Sequence, residues 1–261
     1  MEDFCFCGSG KRKNRCHPYI TPDSIVGSMI KLYSSWDIYS HEEKTSHKIK
    51  FICEQKCNHC CNNYFYISEK EYLTIYTHIN AEFGRSYVSK IIDKAKKYMG
   101  YLEKNYPQEF SKINTIIPKN YEGSIANLFQ DDIKNEQVYP CIFLNTQTGL
   151  CDVYPVRPIV CRLHGVATPF SACTKILRMP NSHQRMVNLY NFPNKDELYQ
   201  ISFLSASKRI PVIFRRSYPI ADWFATVLPQ QLLTNDEYLI CSSQKSETEY
   251  HEAAFRRYNA R

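Results

Sequence analysis

The sequence is built around one cysteine-rich stretch, residues 53–61, which reads Cys53-Glu54-Gln55-Lys56-Cys57-Asn58-His59-Cys60-Cys61. The four thiols of this stretch do not follow the spacing of a packed element, because a core repeats its apolar side chains every ~3.6 residues in a helix or every ~2 in a strand. Thiols grouped in this way are typical of metal ligation. We therefore predict that Cys53, Cys57, Cys60 and Cys61 bind metal.

A second group of four cysteines, Cys141, Cys151, Cys161 and Cys173, follows after a long interval without any. Two short apolar segments around a polar, glycine-containing turn predict a hairpin that carries Cys141 and Cys151 to the same place. Since a thiolate cluster needs further ligands to close its coordination shell, we expect the two groups to meet. Eight thiols suit two four-coordinate zinc ions, and they suit iron or an iron–sulfur cluster equally well.

A third group lies near the N-terminus, where residues 5–17 read Cys5-Phe6-Cys7-Gly8-Ser9-Gly10-Lys11-Arg12-Lys13-Asn14-Arg15-Cys16-His17. Two soft ligands, a glycine turn and two more ligands favour a tetrahedral Zn²⁺ site. The segment resembles the SEC-C motif, a short zinc knuckle. That resemblance implies the ligands Cys5, Cys7, Cys16 and His17.

A zinc knuckle without an open coordination position predicts a binding module rather than a catalyst. Its basic residues suit contact with an acidic protein partner, or more weakly with nucleic acid such as ribosomal RNA, but for the basic run alone a solvated face is the preferred interpretation. These residues are Lys11, Arg12, Lys13 and Arg15.

The central cysteines resemble the YkgJ-type cysteine-cluster proteins, which are described as zinc- or iron-chelating. The matching features are the CxxxCxxCC group, the CxFL segment at residues 141–144, the CxxY segment at 151–154 and the RPxxCR segment at 157–162. A flagellin lysine methylase is similar in its cysteines. This likeness alone does not predict methyl transfer, because a fold can carry unrelated activities.

The pattern outside the cysteines predicts a mainly α protein with short β-hairpins (α+β), in which metal nucleates the cysteine domain around a helical insertion. We predict a knuckle at residues 1–18, a helix and linker at 19–52, the cysteine-cluster domain at 53–175 and a helical C-terminal region at 176–261. Within these, helices are expected from residue 21 to about 39, from Ser68 to near Gly84, and over an apolar stripe from Val88 to Leu102. Residues 40–50 are expected to form a loop.

The 261 residues contain 12 cysteines and carry a formal charge of +7. The start of the chain lacks an apolar signal segment, and no run reaches the ~18 apolar residues of a membrane helix, so we expect a cytoplasmic protein without a membrane partner. Grouped cysteines in a reducing compartment favour metal or redox chemistry over disulfides. Cys241, alone near the C-terminus, is interpreted as an idle thiol.

Two functions therefore remain open. The first is a metal-binding protein whose closed central sites are structural and whose knuckle recruits a partner. The second is an iron–sulfur or metal-dependent enzyme in redox chemistry or protein modification, with no catalytic residue assigned. For the enzyme, the residues to consider beside the metal are Tyr154, Arg157, Arg162 and His164; hydrogen bonding and packing around the cysteines is the preferred role for the two arginines and the histidine.

Overall fold

The computed structural model describes residues 4–48, 57–113, 138–164, 166–167, 186–202 and 218–226. Within these ranges the architecture is mainly α with short two-stranded antiparallel pairs, as predicted. The helices are α1 (Lys13–Cys16), α2 (Ile25–Ser46), α3 (Glu69–Asn105), α4 (Pro107–Ile113), α5 (Ile159–Leu163), α6 (Lys195–Ser202) and α7 (Ile220–Thr226). The strands are β1 (Tyr66–Ile67), β2 (Leu144–Asn145), β3 (Leu150–Cys151) and β4 (Tyr218–Pro219).

The long helix α3 is the central element. It begins with a capping box, in which Ser68 accepts a hydrogen bond from the Glu71 amide and the Glu71 carboxylate accepts one from the Ser68 amide. Gly84, with φ of +75°, interrupts the helical backbone where the sequence predicts a break. The predicted stripe beyond this kink is buried at Val88, Ile91, Ala95, Tyr98, Met99 and Leu102.

Helices α2 and α7 both pack against α3. The α7 contact is aromatic, because the Trp223 ring stacks on Tyr72 with ring centroids 5.1 Å apart. The Trp223 indole also donates a 2.9 Å hydrogen bond to the Ile67 carbonyl. Strand β1 pairs antiparallel with β4, Ile67 opposite Tyr218, so the C-terminal region is attached to the start of α3.

Helix α2 differs at both ends from its predicted range. It begins after Ser24, whose hydroxyl accepts a hydrogen bond from the Gly27 amide, and it continues to Ser46. The loop predicted for residues 40–50 is therefore wrong for 40–46. Ser40 is buried against the protein, and the exposed Glu42 and Lys44 are good helix formers whose polarity reflects a solvated helix face.

Three apolar cores meet around α2 and α3. The largest joins α3, the β2–β3 hairpin and α7. The second joins α2 through Met29, Tyr33 and Trp36 to α5 and α6. The third packs the N-terminal cysteines against Val26 and Ile30 of α2. Helix α2 consequently lies between the N-terminal segment and the helix that carries Cys161.

No helix in the described ranges is long and apolar enough to cross a membrane. The domain limits at residues 18, 52 and 175 stay a prediction.

Candidate metal centres

The N-terminal centre brings four potential ligand atoms together. The thiols of Cys5, Cys7 and Cys16 and the imidazole of His17 all lie within 4.8 Å of one another. The Sγ atoms of Cys7 and Cys16 are 3.6 Å apart, and His17 Nδ1 lies 3.2 Å from Cys5 Sγ and 3.3 Å from Cys16 Sγ. Among the described residues, no other set of three or more cysteine, histidine, aspartate or glutamate side chains converges this closely.

Local backbone geometry produces this convergence. The Cys5 amide donates to the Lys11 carbonyl over 2.8 Å, which closes the loop, and the Gly8 amide donates to Cys5. Gly8 and Gly10 take φ values of +74° and +70°, a left-handed conformation that glycine adopts without strain. Helix α1 then delivers Cys16 and His17.

Burial and polarity give the thiols of this centre different properties. Burial raises the pKa of Cys5 to about 12. Burial also opposes ionisation of Cys7, but hydrogen bonds from the side chain and backbone of Ser9 outweigh it and hold the Cys7 pKa below its ordinary value. Burial and the nearby His78 of α3 lower the pKa of His17 and favour the neutral imidazole, which is the form that binds metal.

The donor set fits zinc. At bond lengths of about 2.3 Å to sulfur and 2.0 Å to nitrogen, tetrahedral zinc ligands lie roughly 3.5 to 3.8 Å from one another. Three of the six separations between the donor atoms are 3.2–3.6 Å, close to that range, and all six are within 4.8 Å. Cys5, Cys7, Cys16 and His17 would hold the ion and leave no position open.

The central centre is assembled from separate segments. A 3₁₀ turn at His59–Asn62 carries two cysteines, the hairpin carries two, and α5 carries one. The Cys141 amide donates to the Cys61 carbonyl over 2.6 Å, and the Val138 amide donates to the Asn62 carbonyl over 2.7 Å. These hydrogen bonds hold the start of the hairpin segment against the turn.

The hairpin has the predicted form. Leu144 of β2 pairs with Cys151 of β3, and Gly149 takes a φ of +71° in the turn between them. Cys161 is the third residue of α5, whose first amide, that of Ile159, donates to the Glu71 carboxylate over 2.8 Å. The start of α5 is thereby fixed to the start of α3.

Five thiols of this centre influence one another's ionisation: Cys60, Cys61, Cys141, Cys151 and Cys161. A hydrogen bond from Cys61 lowers the pKa of Cys60 to about 7, and the same bond raises the pKa of Cys61. Burial raises the pKa of Cys141 to about 12, and burial followed by the charge of Cys60 raises that of Cys161. Such a concentration of partly buried thiols is costly to ionise without a cation, and a metal ion supplies one.

Both centres use the same hydrogen bond to sulfur. The backbone amide two residues after the cysteine donates to the thiol of Cys5, Cys7, Cys141 and Cys151, and each of these bonds favours the thiolate. A thiolate that accepts amide hydrogen bonds is a stabilised anionic ligand. The N-terminal donor set therefore fits a thiolate-binding metal. Among the described central cysteines no three thiols converge within the same 4.8 Å, although the amide hydrogen bonds to Cys141 and Cys151 favour thiolates, the ligand form for zinc or iron, there as well.

Three predicted ligands do not belong to the two donor sets just described. Cys57 is half-buried and stands outside the five interacting thiols that the structure describes. Cys53 and Cys173, as well as Cys241, lie outside the described residues. Their roles stay predictions.

The two arginines beside the central cysteines, Arg162 and Arg157, have different interaction partners. Arg162 is buried and pairs with Asp37, and it also donates to the backbone carbonyls of Pro155 and Arg157. It has the local structural role that the sequence favours. Arg157 lies over the Tyr154 ring at 4.0 Å, and its charge favours the thiolates of three cysteines, Cys60, Cys151 and Cys161.

His164 packs edge-on against Phe65, and burial lowers its pKa to about 4. It is therefore neutral at physiological pH. This packing agrees with the structural role preferred from the sequence.

Two supporting residues were not identified from the sequence. Glu71 has a recognisable cap signal, but nothing in the pattern indicates that its second oxygen reaches Ile159. Lys94 belongs to the lysine-rich face of α3, yet its ammonium group donates to the Ile142 carbonyl over 3.3 Å and favours the Cys141 thiolate. No sequence signal separates Lys94 from the other lysines of this helix.

The sequence model of one protein family matches residues 52–185, just over half of the chain. The chain belongs to the CxxCxxCC family. This family is described as a "putative zinc- or iron-chelating domain". No curated protein and no solved structure shows a significant match.

The CxxCxxCC match covers all eight central cysteines and leaves the N-terminal centre outside. The chain departs from the letters of the family name at one place, since three residues rather than two separate Cys53 from Cys57. The spacing from Cys57 to Cys61 agrees with the name. Metal binding by cysteine clusters is therefore common to the family description and to the geometry.

Proposed function

We propose that this CxxCxxCC protein is a structural zinc protein with two independent centres, a knuckle at residues 5–17 and a central site closed by cysteines. The observation that carries the proposal is the convergence of three sulfur atoms and one imidazole nitrogen within 4.8 Å in the knuckle. The five mutually interacting central thiols support it. A reducing cytoplasm would keep all of these thiols available for metal.

Anaerobic purification followed by elemental analysis and an absorption spectrum tests the proposal. A colourless protein with about three zinc ions, one in the knuckle and two in the centre, is the expected result. A brown protein with iron and acid-labile sulfide would contradict the structural reading of the centre. It would make an enzyme of redox chemistry or protein modification, similar to flagellin lysine methylase, the function to pursue.

The knuckle is further proposed to contact an acidic partner, either a protein or ribosomal RNA. Supporting this, Lys11, Arg12 and Arg15 are exposed, and Tyr19, four residues after Arg15 in the chain, is 79% exposed. A basic surface with an accessible aromatic ring suits both kinds of partner.

Co-sedimentation with purified ribosomes at increasing salt tests the RNA version. We expect the paired change Lys11→Glu and Arg15→Glu to abolish co-sedimentation, while Lys96→Glu and Lys97→Glu on the exposed face of α3 leave it unchanged. Wild-type protein that stays in the supernatant at low salt excludes the ribosome and leaves the protein partner as the proposal.

A further inference from the structure

Metal binding changes the charge of the central cysteines. A divalent ion held by four thiolates carries about two negative charges, whereas the same thiols are neutral when they are protonated and hold no metal. Placing that negative charge among partly buried groups is unfavourable unless positive charge lies nearby. Two cationic side chains act on these thiols, Arg157 from the segment before α5 and Lys94 from α3.

Arg157 is held in place by its side chain and by its backbone. Its guanidinium group lies 4.0 Å over the Tyr154 ring, and its carbonyl accepts a 3.0 Å hydrogen bond from Arg162 Nε. Arg162 is itself paired with Asp37, so its charge is already balanced. Arg157 lines the same cavity as Cys161. Its charge favours thiolates contributed by the 3₁₀ turn, the hairpin and α5, namely Cys60, Cys151 and Cys161.

Lys94 approaches the same centre from α3. Its ammonium group donates a 3.3 Å hydrogen bond to the carbonyl of Ile142, the residue that follows Cys141, and this carbonyl has no net charge to cancel that of the lysine. The Lys94 charge favours the Cys141 thiolate. Lys96, two residues further along α3, is exposed and lies roughly 200° around the helix from Lys94. Position on the helix therefore distinguishes Lys94 from this neighbour.

We propose that Arg157 and Lys94 are the counter-charges of the central metal centre, where they stabilise the negatively charged, metal-bound form and thereby raise the affinity for metal. The inference rests on the proposed function, because it requires the central cysteines to hold a metal ion. Both side chains act through the thiolates and do not bind the ion themselves. The contribution of Arg157 is the larger, because Lys94 is exposed and water and salt screen its charge.

Competition between the full-length, zinc-loaded protein and EDTA tests the proposal. Elemental analysis gives the zinc retained at each EDTA concentration. The zinc that Cys16→Ser fails to hold belongs to the knuckle, and the remaining zinc gives the affinity of the central centre. The knuckle zinc is an internal control, because Arg157 and Lys94 both lie outside residues 5–17 and should leave its affinity unchanged.

Single substitutions measure each contribution. Arg157→Gln should weaken zinc binding at the central centre about 10-fold, which is typical for the loss of a residue that supports metal ligands. Lys94→Gln should weaken it about 3-fold, and Lys94→Arg, which keeps the charge, should restore it. The matched controls are Arg85→Gln and Lys96→Gln, which remove exposed charges of α3 and should leave the affinity unchanged.

Salt separates a charge effect from a packing effect. The difference between wild-type protein and Lys94→Gln should shrink when potassium nitrate is raised from ~0.1 M to ~1 M, because the Debye length falls from ~10 Å to ~3 Å. A difference that salt does not change and that Lys94→Arg does not restore overturns the proposal.

The result for Lys94 decides the question if Arg157→Gln does not fold, because the Lys94 side chain is exposed. Zinc held at the central centre with unchanged affinity in Lys94→Gln, or in a folded Arg157→Gln, overturns this proposal and leaves the proposed function intact. Wild-type protein that takes up no zinc beyond the knuckle ion contradicts the proposed function and overturns this proposal with it.

Discussion

The two cysteine centres are built on different scales. The N-terminal centre draws all four donors from residues 5–17, and its geometry depends on two glycines, one loop-closing hydrogen bond and a four-residue helix. The central centre draws its described thiols from residues 60–161, and their approach depends on the hairpin, on α5 and on the position of α3. Local closure has a small entropic cost, whereas the central thiols meet only after long segments are ordered.

Because the two centres are built differently, loss of metal from each should affect the stability of the protein differently. Losing the knuckle should release a small unit that contacts α2 through Val26 and Ile30. Losing the central metal should leave several partly buried thiols without a cation between α3, α5 and the hairpin. The following changes test this contrast, beginning with the largest expected effect.

Cys161→Ser should leave the protein insoluble or unfolded. Metal binding in model zinc sites contributes ~10 kcal/mol or more, which is comparable to the whole stability of a domain. Expression yield, circular dichroism and metal content measure the effect, with Cys241→Ser as a cysteine control that should be silent. A soluble Cys161→Ser protein with unchanged metal would remove this residue from the ligand set.

Cys16→Ser should lose the knuckle zinc and keep the rest folded. We expect the unfolding free energy of the main domain to fall by about 3 kcal/mol, because only the apolar contacts with Val26 and Ile30 are loosened. Elemental analysis and urea denaturation give both quantities. Ser9→Ala, which removes hydroxyl contacts with the Cys7 and Cys16 thiols and with the Lys11 amide but no ligand atom, is the milder comparison. Global unfolding of Cys16→Ser would show that the two centres are not independent.

Gly27→Ala tests how the knuckle is attached to α2. A Cβ atom at Gly27 would lie 2.2 Å from the Thr21 carbonyl oxygen and 2.7 Å from that of Pro22, so the connecting segment must move. We expect a loss of about 2 kcal/mol by urea denaturation.

Gly100→Ala is the matched control, since it also lies in a helix and a Cβ there meets nothing within 4 Å. It should stabilise the protein by roughly 0.5–1 kcal/mol through helix propensity. Equal effects of the two substitutions would contradict the close approach at Gly27.

Glu71→Gln should weaken the link between α3 and α5. The carboxylate accepts hydrogen bonds from the Ser68 amide and hydroxyl at one oxygen and from the Ile159 amide at the other, and an amide side chain can replace only one of these acceptors. We expect a loss of about 1.5 kcal/mol, measured by urea denaturation at neutral pH. Glu103→Gln on the exposed face of α3 should have no effect.

The difference in unfolding free energy between the wild-type protein and Glu71→Gln should also depend on pH. Burial raises the pKa of Glu71 above its ordinary value of 4.5, despite the hydrogen bonds that favour the carboxylate. The folded state therefore binds this proton more readily than the unfolded state, and its stability relative to Glu71→Gln should rise as the pH falls from the raised pKa towards 4.5. A relative stability that falls over this interval would contradict the raised pKa of Glu71 in the folded state.

The sequence by itself determined the elements that depend on neighbouring residues. The capping box at Ser68 and Glu71, the break at Gly84 and the hairpin between residues 141 and 151 all follow from local turn and cap chemistry. The convergence at residues 5–17 is local in the same sense, because the ligand residues and the glycines between them lie in one short segment.

Tertiary structure alone decided which residues support the central thiols. Glu71 reaches Ile159, Lys94 reaches Ile142, and Asp37 pairs with Arg162, all across long sequence separations. The residues around one lysine of an amphipathic helix, or around one arginine of a cysteine motif, do not predict which distant group it contacts. The partner depends on which helices pack together, so these roles follow from the packing of α2, α3 and α5 and not from the pattern of any one segment.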